Sequence, residues 1–150
     1  MIVERINDRT NAFDLIYDFN IEIGRELSDD ELRVGIRKFL DYGNVIGVLN
    51  GEKLIAMMNL YCNNDETLEA YMNNVYVLDS YRGKGLSKKM MDIAISICKD
   101  KHFKKIKLHV APDNVVAIQL YEKYDFVLLP GTHSQGGNGE ELVEMVLSLA

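Results

Sequence analysis

Residues 79–89 read DSYRGKGLSKK and join a predicted strand to a predicted helix. Arg82, Lys84, Lys88 and Lys89 gather at the start of that helix. Cations are unfavourable there, because the exposed N–H groups and the helix dipole already make this end positive. An anion bound at the helix end would remove the repulsion. The stretch therefore raises phosphate binding as a hypothesis, beside the alternative that its basic side chains are simply solvated.

The turn itself has the composition of a phosphate-binding loop. Gly83 and Gly85 have no Cβ, so a ligand can approach their backbone closely, and Ser87 adds a hydroxyl group. Two common phosphate loops are excluded. The chain contains no G-x-x-x-x-G-K-[ST], and the two glycines are not continued by the third glycine of a dinucleotide-binding loop.

Size and composition indicate a single domain over residues 1–150. The chain is 47% hydrophobic and 27% charged, which is ordinary globular usage. No apolar run is long enough to cross a bilayer, and the N-terminus lacks the layout of a secretory signal. A net charge of −6 argues against nucleic acid as the main partner. Cys62 and Cys98 suit a reduced, cytoplasmic protein, and neither has partners at zinc-ligand spacing, so we expect no metal.

Hydrophobic periodicity predicts an α/β (α+β) domain, with a mixed sheet flanked by helices. Four helices are predicted: one capped by Thr10, one opened by the capping-box residues 28–31 and ended by Gly43, one starting near Leu86, and one over residues 115–124. Strands are predicted over residues 2–6, 45–49, 53–61, 67–78, 106–110, 126–129 and 142–149, with a hairpin at Asn50-Gly51 and a turn-rich loop over residues 130–141.

Two blocks of the sequence carry a family resemblance. NNVYVLDSYRGKGLSKKMM, residues 73–91, followed by LHVAPDNVVAIQLYEKYDF, residues 108–126, resembles the GNAT-type N-acetyltransferases. In that superfamily a strand ends in an [RQ]-x-x-G-x-[GA] turn that holds the pyrophosphate of acetyl-coenzyme A. Arg82 and Gly85 match this pattern, and Ser87 stands where Gly or Ala is usual.

The second block matches a helix that begins with Asn and ends in L-Y-x-[KR]-x-G-F. Asn114 and residues 120–123 fit this pattern, and Asp125 takes the place of Gly before Phe126. The resemblance is clear over residues 68–128. It implies a GNAT-like fold, with a twisted mixed central sheet of six to seven strands and about four helices.

The same resemblance implies how coenzyme A would bind. The cofactor would enter a V between the strand that ends near Leu78 and the strand of residues 106–110, and its pantetheine arm would pair with backbone groups as an added strand. The implied cofactor-binding residues are Val75, Val77, Arg82, Gly83, Lys84, Gly85, Leu86, Ser87, Lys88, Asn114 and Tyr121.

The chemistry implied is direct attack of an amine on acetyl-coenzyme A in a ternary complex. Tyr121 would be the general acid that protonates the leaving thiolate, since a phenol is protonated at neutral pH. Without the resemblance, a core aromatic is the simpler interpretation of this residue. A backbone N–H near Val75 or Tyr76 would hold the thioester carbonyl.

The general base and the acceptor pocket have weaker signals. Some family members carry a carboxylate where this chain has Tyr71, and Glu69 on the same strand face is the candidate base. The candidate acceptor-pocket residues are Tyr71, Asn73, Glu22 and Glu26. His133, in the late loop, is a further candidate for the pocket, whereas His102 and His109 receive no role.

Three functions remain open at this stage. The first is an acetyltransferase acting on a primary amine, of a small molecule or of a protein, with a homodimer as a possible assembly. The second is a non-catalytic acyl-coenzyme A-binding module of the same fold. The third, a nucleic-acid binder using residues 102–107 (HFKKIK), is disfavoured by the acidic total and by the lack of interleaved aromatics.

Overall fold

A seven-stranded mixed sheet organises the chain, which the computed structural model describes over residues 1–135 and 140–149. The strands are β1 (Ile2–Arg5), β2 (Asn44–Asn50), β3 (Lys53–Tyr61), β4 (Glu69–Val77), β5 (Lys105–Val110), β6 (Val127–Gln135) and β7 (Glu141–Ser148). The helices are α1 (Ala12–Ile23), α2 (Asp29–Tyr42), α3 (Leu86–Asp100) and α4 (Val115–Lys123). The sheet order is β1-β2-β3-β4-β5-β7-β6, and the seven strands and four helices confirm the predicted mixed sheet flanked by helices.

Helices cover both faces of the first half of the sheet. α1 and α2 pack against β3 and β2, and α3 packs across β1 to β4. Every residue of β3 from Leu54 to Leu60 is buried, which requires cover on both faces. The capping box predicted at Ser28 is present, with Glu31 as its partner, and it starts α2.

The sheet opens between β4 and β5. These strands are parallel and pair only where Glu69, Ala70 and Tyr71 meet residues 105–107. Past this point a bulge bends β4: Asn74 has a φ of 54°, and the register with β3 shifts across it. A bulge re-aims side chains and increases the local twist, so the rest of β4 leaves an unpaired edge.

Two local predictions were wrong. The strand predicted over residues 126–129 continues as β6 to Gln135, into the segment predicted as a loop. β6 is an edge strand, and an irregularity between Leu129 and Ser134 accommodates Pro130 without losing the pairing to β7. The cap of α1 is Asn11 rather than Thr10, and it makes no side-chain cap hydrogen bond.

The two cysteines are buried neighbours. Their Sγ atoms lie 3.8 Å apart, between the end of β3 and the last turn of α3, and both are free thiols. Burial raises the pKa of Cys62 and of Cys98, so both remain protonated packing groups. Among the described residues, no helix has both the length and the apolar character needed to span a membrane.

Candidate active site

The turn into α3 presents bare backbone donors. Gly83 and Gly85 have φ values of 78° and 74°, a conformation that other residues adopt only with strain. α3 begins at Gly85 without a side-chain cap, and its first turn contains no acidic residue. The N–H groups of residues 86–88 have no partner within the described chain. A Cβ placed on either glycine would meet no atom within 4 Å, so the space above the turn is open to a ligand.

A cleft of about 630 Å³ lies between this turn, the free end of β4 and α4. It is lined by ten of the eleven predicted cofactor residues: Val75, Val77, Arg82, Gly83, Gly85, Leu86, Ser87, Lys88, Asn114 and Tyr121. Lys84 is the exception, because its ammonium lies over the ring of Tyr81, 5.3 Å from the centroid, outside the lining. The structure therefore brings both sequence blocks to one cleft.

The basic side chains of the turn have local partners. Arg82 donates from Nε to the carbonyl of Val77 at 3.1 Å and pairs with Asp79 at 3.0 Å, so it lies back along β4. Lys88 reaches Asp92 at 3.6 Å. These contacts are exposed and weak, so an incoming polyanion can exchange them at small cost.

α4 supplies Asn114 and Tyr121 from a single face. The Oδ1 atom of Asn114 caps the helix by accepting from the N–H of Ala117 at 3.2 Å, and its amide hydrogens make no hydrogen bond in the described part of the chain. Tyr121 packs against Phe126 with ring centroids 5.7 Å apart. Burial raises the pKa of Tyr121 to about 12, which keeps its phenol protonated.

A second cavity, of about 360 Å³, occupies the opening between β4 and β5. Tyr121, Asn114 and Val75 line it as well as the first cleft, so the two spaces adjoin. His109 lines this cavity, and its Nδ1 atom lies 2.9 Å from the hydroxyl oxygen of Tyr71. Burial, and then the charge of nearby Glu144, raise the pKa of Tyr71.

Asn73 also lines the second cavity, and a hydrogen bond from a buried neighbour holds its side chain in place. Its Oδ1 atom accepts from Nδ2 of buried Asn59 at 3.0 Å, which fixes the orientation of the Asn73 amide. Asn59 lies against Gly43, where a Cβ would come within 2.2 Å of its Oδ1 atom. Gly43 is therefore required by this close approach rather than by a left-handed turn.

Two smaller cavities flank the bulge on the side of α1 and α2. One, of about 230 Å³, adjoins the cofactor cleft through Val75 and Tyr76, and the other, of about 160 Å³, lies between α2 and Asn74. Arg25 and Asn74 line both, and Nη1 of Arg25 donates a hydrogen bond to Oδ1 of Asn74 between them.

Three predicted acids are not brought to these cavities. Glu69 pairs with Lys105 at 3.0 Å and Lys107 at 3.4 Å where β4 and β5 still touch, and these lysines lower its pKa, which weakens it as a base. Glu22 pairs with Lys53 at 3.0 Å beside the β2–β3 hairpin. Glu26 is exposed and lines none of the described cavities. The side chain of His133 lies outside what the structure describes.

Sequence reasoning missed His109 and Arg25. A signal for His109 was present: β5 runs parallel to β4, so His109 lies two residues beyond the partner of Tyr71, on the same strand face. Arg25 gave no signal, because its approach to Asn74 depends on the turn after Gly24 and on the bulge. No cluster of three or more potential metal ligands occurs in the described ranges.

Comparison with known proteins identifies relatives of this chain. Residues 11–126 match the Acetyltransferase (GNAT) family. N-alpha-acetyltransferase 30 of Saccharomyces cerevisiae is 29% identical over 82 residues, which cover 55% of this chain and 47% of that protein. The chain therefore matches about half the length of this relative.

Solved structures share the fold across almost the whole chain. The ribosomal-protein-S18-alanine N-acetyltransferase from Escherichia coli superposes with a TM-score of 0.78 at 17% identity, covering 99% of this chain and 94% of that one. An aminoglycoside 6'-N-acetyltransferase complexed with coenzyme A gives a TM-score of 0.80 at 12% identity, with 100% and 98% covered. These likenesses establish the sheet and helix arrangement.

Proposed function

Since the chain belongs to the GNAT acetyltransferase family, we propose that it is an N-acetyltransferase that uses acetyl-coenzyme A. The acetyl group passes to a primary amine by direct attack in a ternary complex. One observation supports this most directly: Tyr121 and His109 line one cavity, and Tyr121 also lines the adjoining cofactor cleft. A proton donor and a proton acceptor therefore line one cavity beside the cofactor cleft.

The first cleft fits coenzyme A. The two left-handed glycines and the free N–H groups of α3 suit a pyrophosphate, and Lys88 adds charge. The unpaired edge of β4 near Val75 suits the amides of a pantetheine arm, and the Asn114 amide provides a further donor. Bound there, acetyl-coenzyme A supplies the acetyl group as an activated thioester.

Tyr121 holds a proton for the departing thiolate. Its raised pKa keeps the phenol neutral through the physiological range, so the proton is present when negative charge develops on sulfur. A backbone N–H beside Val75 would hold the thioester carbonyl oxygen, since this part of β4 does not pair with β5.

His109 removes the proton of the attacking amine. In the tautomer with hydrogen on Nδ1, the ring donates to the hydroxyl oxygen of Tyr71 and leaves Nε2 free to accept a proton. Tyr71 is then a positioning residue that selects this tautomer. His109 is exposed, so the proton it gains can pass to solvent.

The test is thiol release from acetyl-coenzyme A, screened over a panel of primary amines and peptides, with coenzyme A binding measured by calorimetry. We expect coenzyme A to bind and at least one class of amine to raise the rate above background hydrolysis. Tight binding without turnover on any amine would instead favour the non-catalytic binding module. Absence of coenzyme A binding would refute both.

A further inference from the structure

The turn after α1 directs a cation toward the bulge in β4. α1 ends at Gly24, which has a φ of 70°, and Arg25 follows at once. Its guanidinium donates to Oδ1 of Asn74, which is itself held at a φ of 54°. The contact therefore joins the turn after α1 to the bulge of β4.

This guanidinium has no counter-ion in the described chain. Arg25 is exposed, and none of the ion pairs of the described residues includes it. Its hydrogen-bond partner, Asn74, is neutral. The guanidinium lines both cavities beside the bulge, so its remaining N–H groups are available there to an anionic ligand group.

The cavity beside Arg25 is otherwise largely apolar. Its volume is about 230 Å³, and its apolar lining is Phe19, Ile23, Met57, Val75 and Tyr76. Val75 and Tyr76 also line the cofactor cleft. This cavity thus combines an apolar lining with a guanidinium, next to two residues that also line the cofactor cleft.

We propose that the acceptor is an amine carrying both an apolar side chain and a carboxylate, and that Arg25 binds the carboxylate. This inference rests on the proposed function. A guanidinium held at one nitrogen by Asn74 keeps further N–H groups in a planar fork that matches a carboxylate. Phe19, Ile23 and Met57 surround the side chain. The carboxylate belongs either to a free amino acid or to an acidic residue after a peptide N-terminus.

The experiment titrates acceptors into the protein saturated with coenzyme A, so that binding is measured without turnover. L-Leucine is paired with L-leucinamide, and the amidated dipeptide Leu-Asp with Leu-Asn; the two pairs distinguish the two sources. We expect the carboxylate member of one pair to bind at least tenfold more tightly. Arg25→Gln should weaken that member by about 10- to 100-fold and leave its neutral partner unchanged. Arg25→Lys should restore part of the affinity.

Arg9→Gln is the matched control, since Arg9 is an arginine paired with Glu4 that lines none of the described cavities. In turnover, Arg25→Gln should raise KM for the carboxylate acceptor at unchanged kcat. The proposal is overturned if the carboxylate and neutral members bind with equal affinity in both pairs. It is also overturned if Arg25→Gln weakens the binding of neutral and carboxylate members alike. Acetylation of neutral amines alone also overturns it while sparing the transferase. Carboxylate-selective binding without any acetylation supports the subsite and refutes the transferase.

Discussion

The two sides of the opened sheet, which we propose to be the cofactor side and the acceptor side, differ in how they present polar groups. On the cofactor side, backbone N–H groups and two glycines within residues 83–88 form the binding turn. On the acceptor side, side chains meet from distant segments: Arg25 contacts a residue 49 positions away, and Tyr71 contacts one 38 positions away. A backbone site can be read from a continuous motif, whereas a side-chain site depends on the tertiary fold.

Tyr121 belongs to both sides, so its replacement should have the largest effect on rate. Tyr121→Phe removes the proton for the leaving thiolate, and we expect kcat to fall by about 10²- to 10⁴-fold. Coenzyme A affinity, measured by calorimetry, should change little, because the ring remains packed on Phe126. Exposed Tyr42 provides the control variant Tyr42→Phe, expected to keep wild-type kcat. An unchanged kcat in Tyr121→Phe would exclude the acid role.

The raised pKa of Tyr121 also predicts how kcat depends on pH in the alkaline range. Because the pKa of Tyr121 is raised to about 12, the donor form persists as pH increases and is lost only near that value. The wild-type kcat should therefore show no alkaline decline caused by Tyr121 below about pH 11. A decline near pH 10 that disappears in Tyr121→Phe would contradict this assignment.

On the cofactor side, the sharpest test uses two glycines in the same conformation. Gly85→Glu adds bulk and negative charge at the turn and should weaken coenzyme A binding by about 100-fold or more. Gly51, at the hairpin tip, has a similar φ of 63°, and a Cβ placed there likewise meets no atom within 4 Å. Gly51→Glu is therefore the matched control. Both variants should lose about 1 kcal/mol of stability from backbone strain. Equal coenzyme A affinities in the two would refute the phosphate site.

On the acceptor side, the expected effects are smaller and coupled. His109→Gln should lower kcat/KM by about 10²-fold, and Tyr71→Phe by about tenfold, since one removes the base and the other only orients it. The double variant should be no worse than His109→Gln alone, because Tyr71 acts through the imidazole. Additive losses in this double-mutant cycle would show that Tyr71 has an independent role.

The residues that could be predicted from the sequence lie mainly on the cofactor side. The glycine turn, Asn114 and Tyr121 lie within two short blocks whose spacing along strand and helix is fixed, so ten of eleven predicted residues line one cleft. Lys84 lies between two left-handed glycines, with its ammonium over the ring of Tyr81 and outside this lining. The mixed sheet and its flanking helices were predictable from periodicity and from the resemblance.

The residues of the acceptor side were less predictable, because no local sequence pattern indicates them. The bulge at Asn74 has no glycine or proline to mark it, yet it decides which side chains of β4 face the cavities. Of the two acids expected in the pocket, Glu22 pairs with Lys53 and Glu26 is exposed at the surface. Arg25, of the opposite sign, lies there instead.

Replacing Glu69 should have the smallest effect on rate, and it distinguishes between the two candidate bases, Glu69 and His109. It is held by Lys105 and Lys107 at the closed end of the β4–β5 pair, away from the cavity that contains His109. We therefore expect Glu69→Gln to keep kcat/KM within about twofold and to lose at most about 1 kcal/mol of stability. A rate loss as large as that of His109→Gln would return the base role to Glu69.

The pH dependence of this variant's stability gives an independent check. The lysines lower the pKa of Glu69 in the folded protein, so its ion pairs stabilise the fold above the pKa of an unfolded glutamate. That contribution is lost as pH falls through the lower, folded value. In urea unfolding, wild type and Glu69→Gln should thus differ at pH 7 and converge below about pH 4. A difference that persists at low pH would indicate a packing role for Glu69 rather than a charge-dependent one.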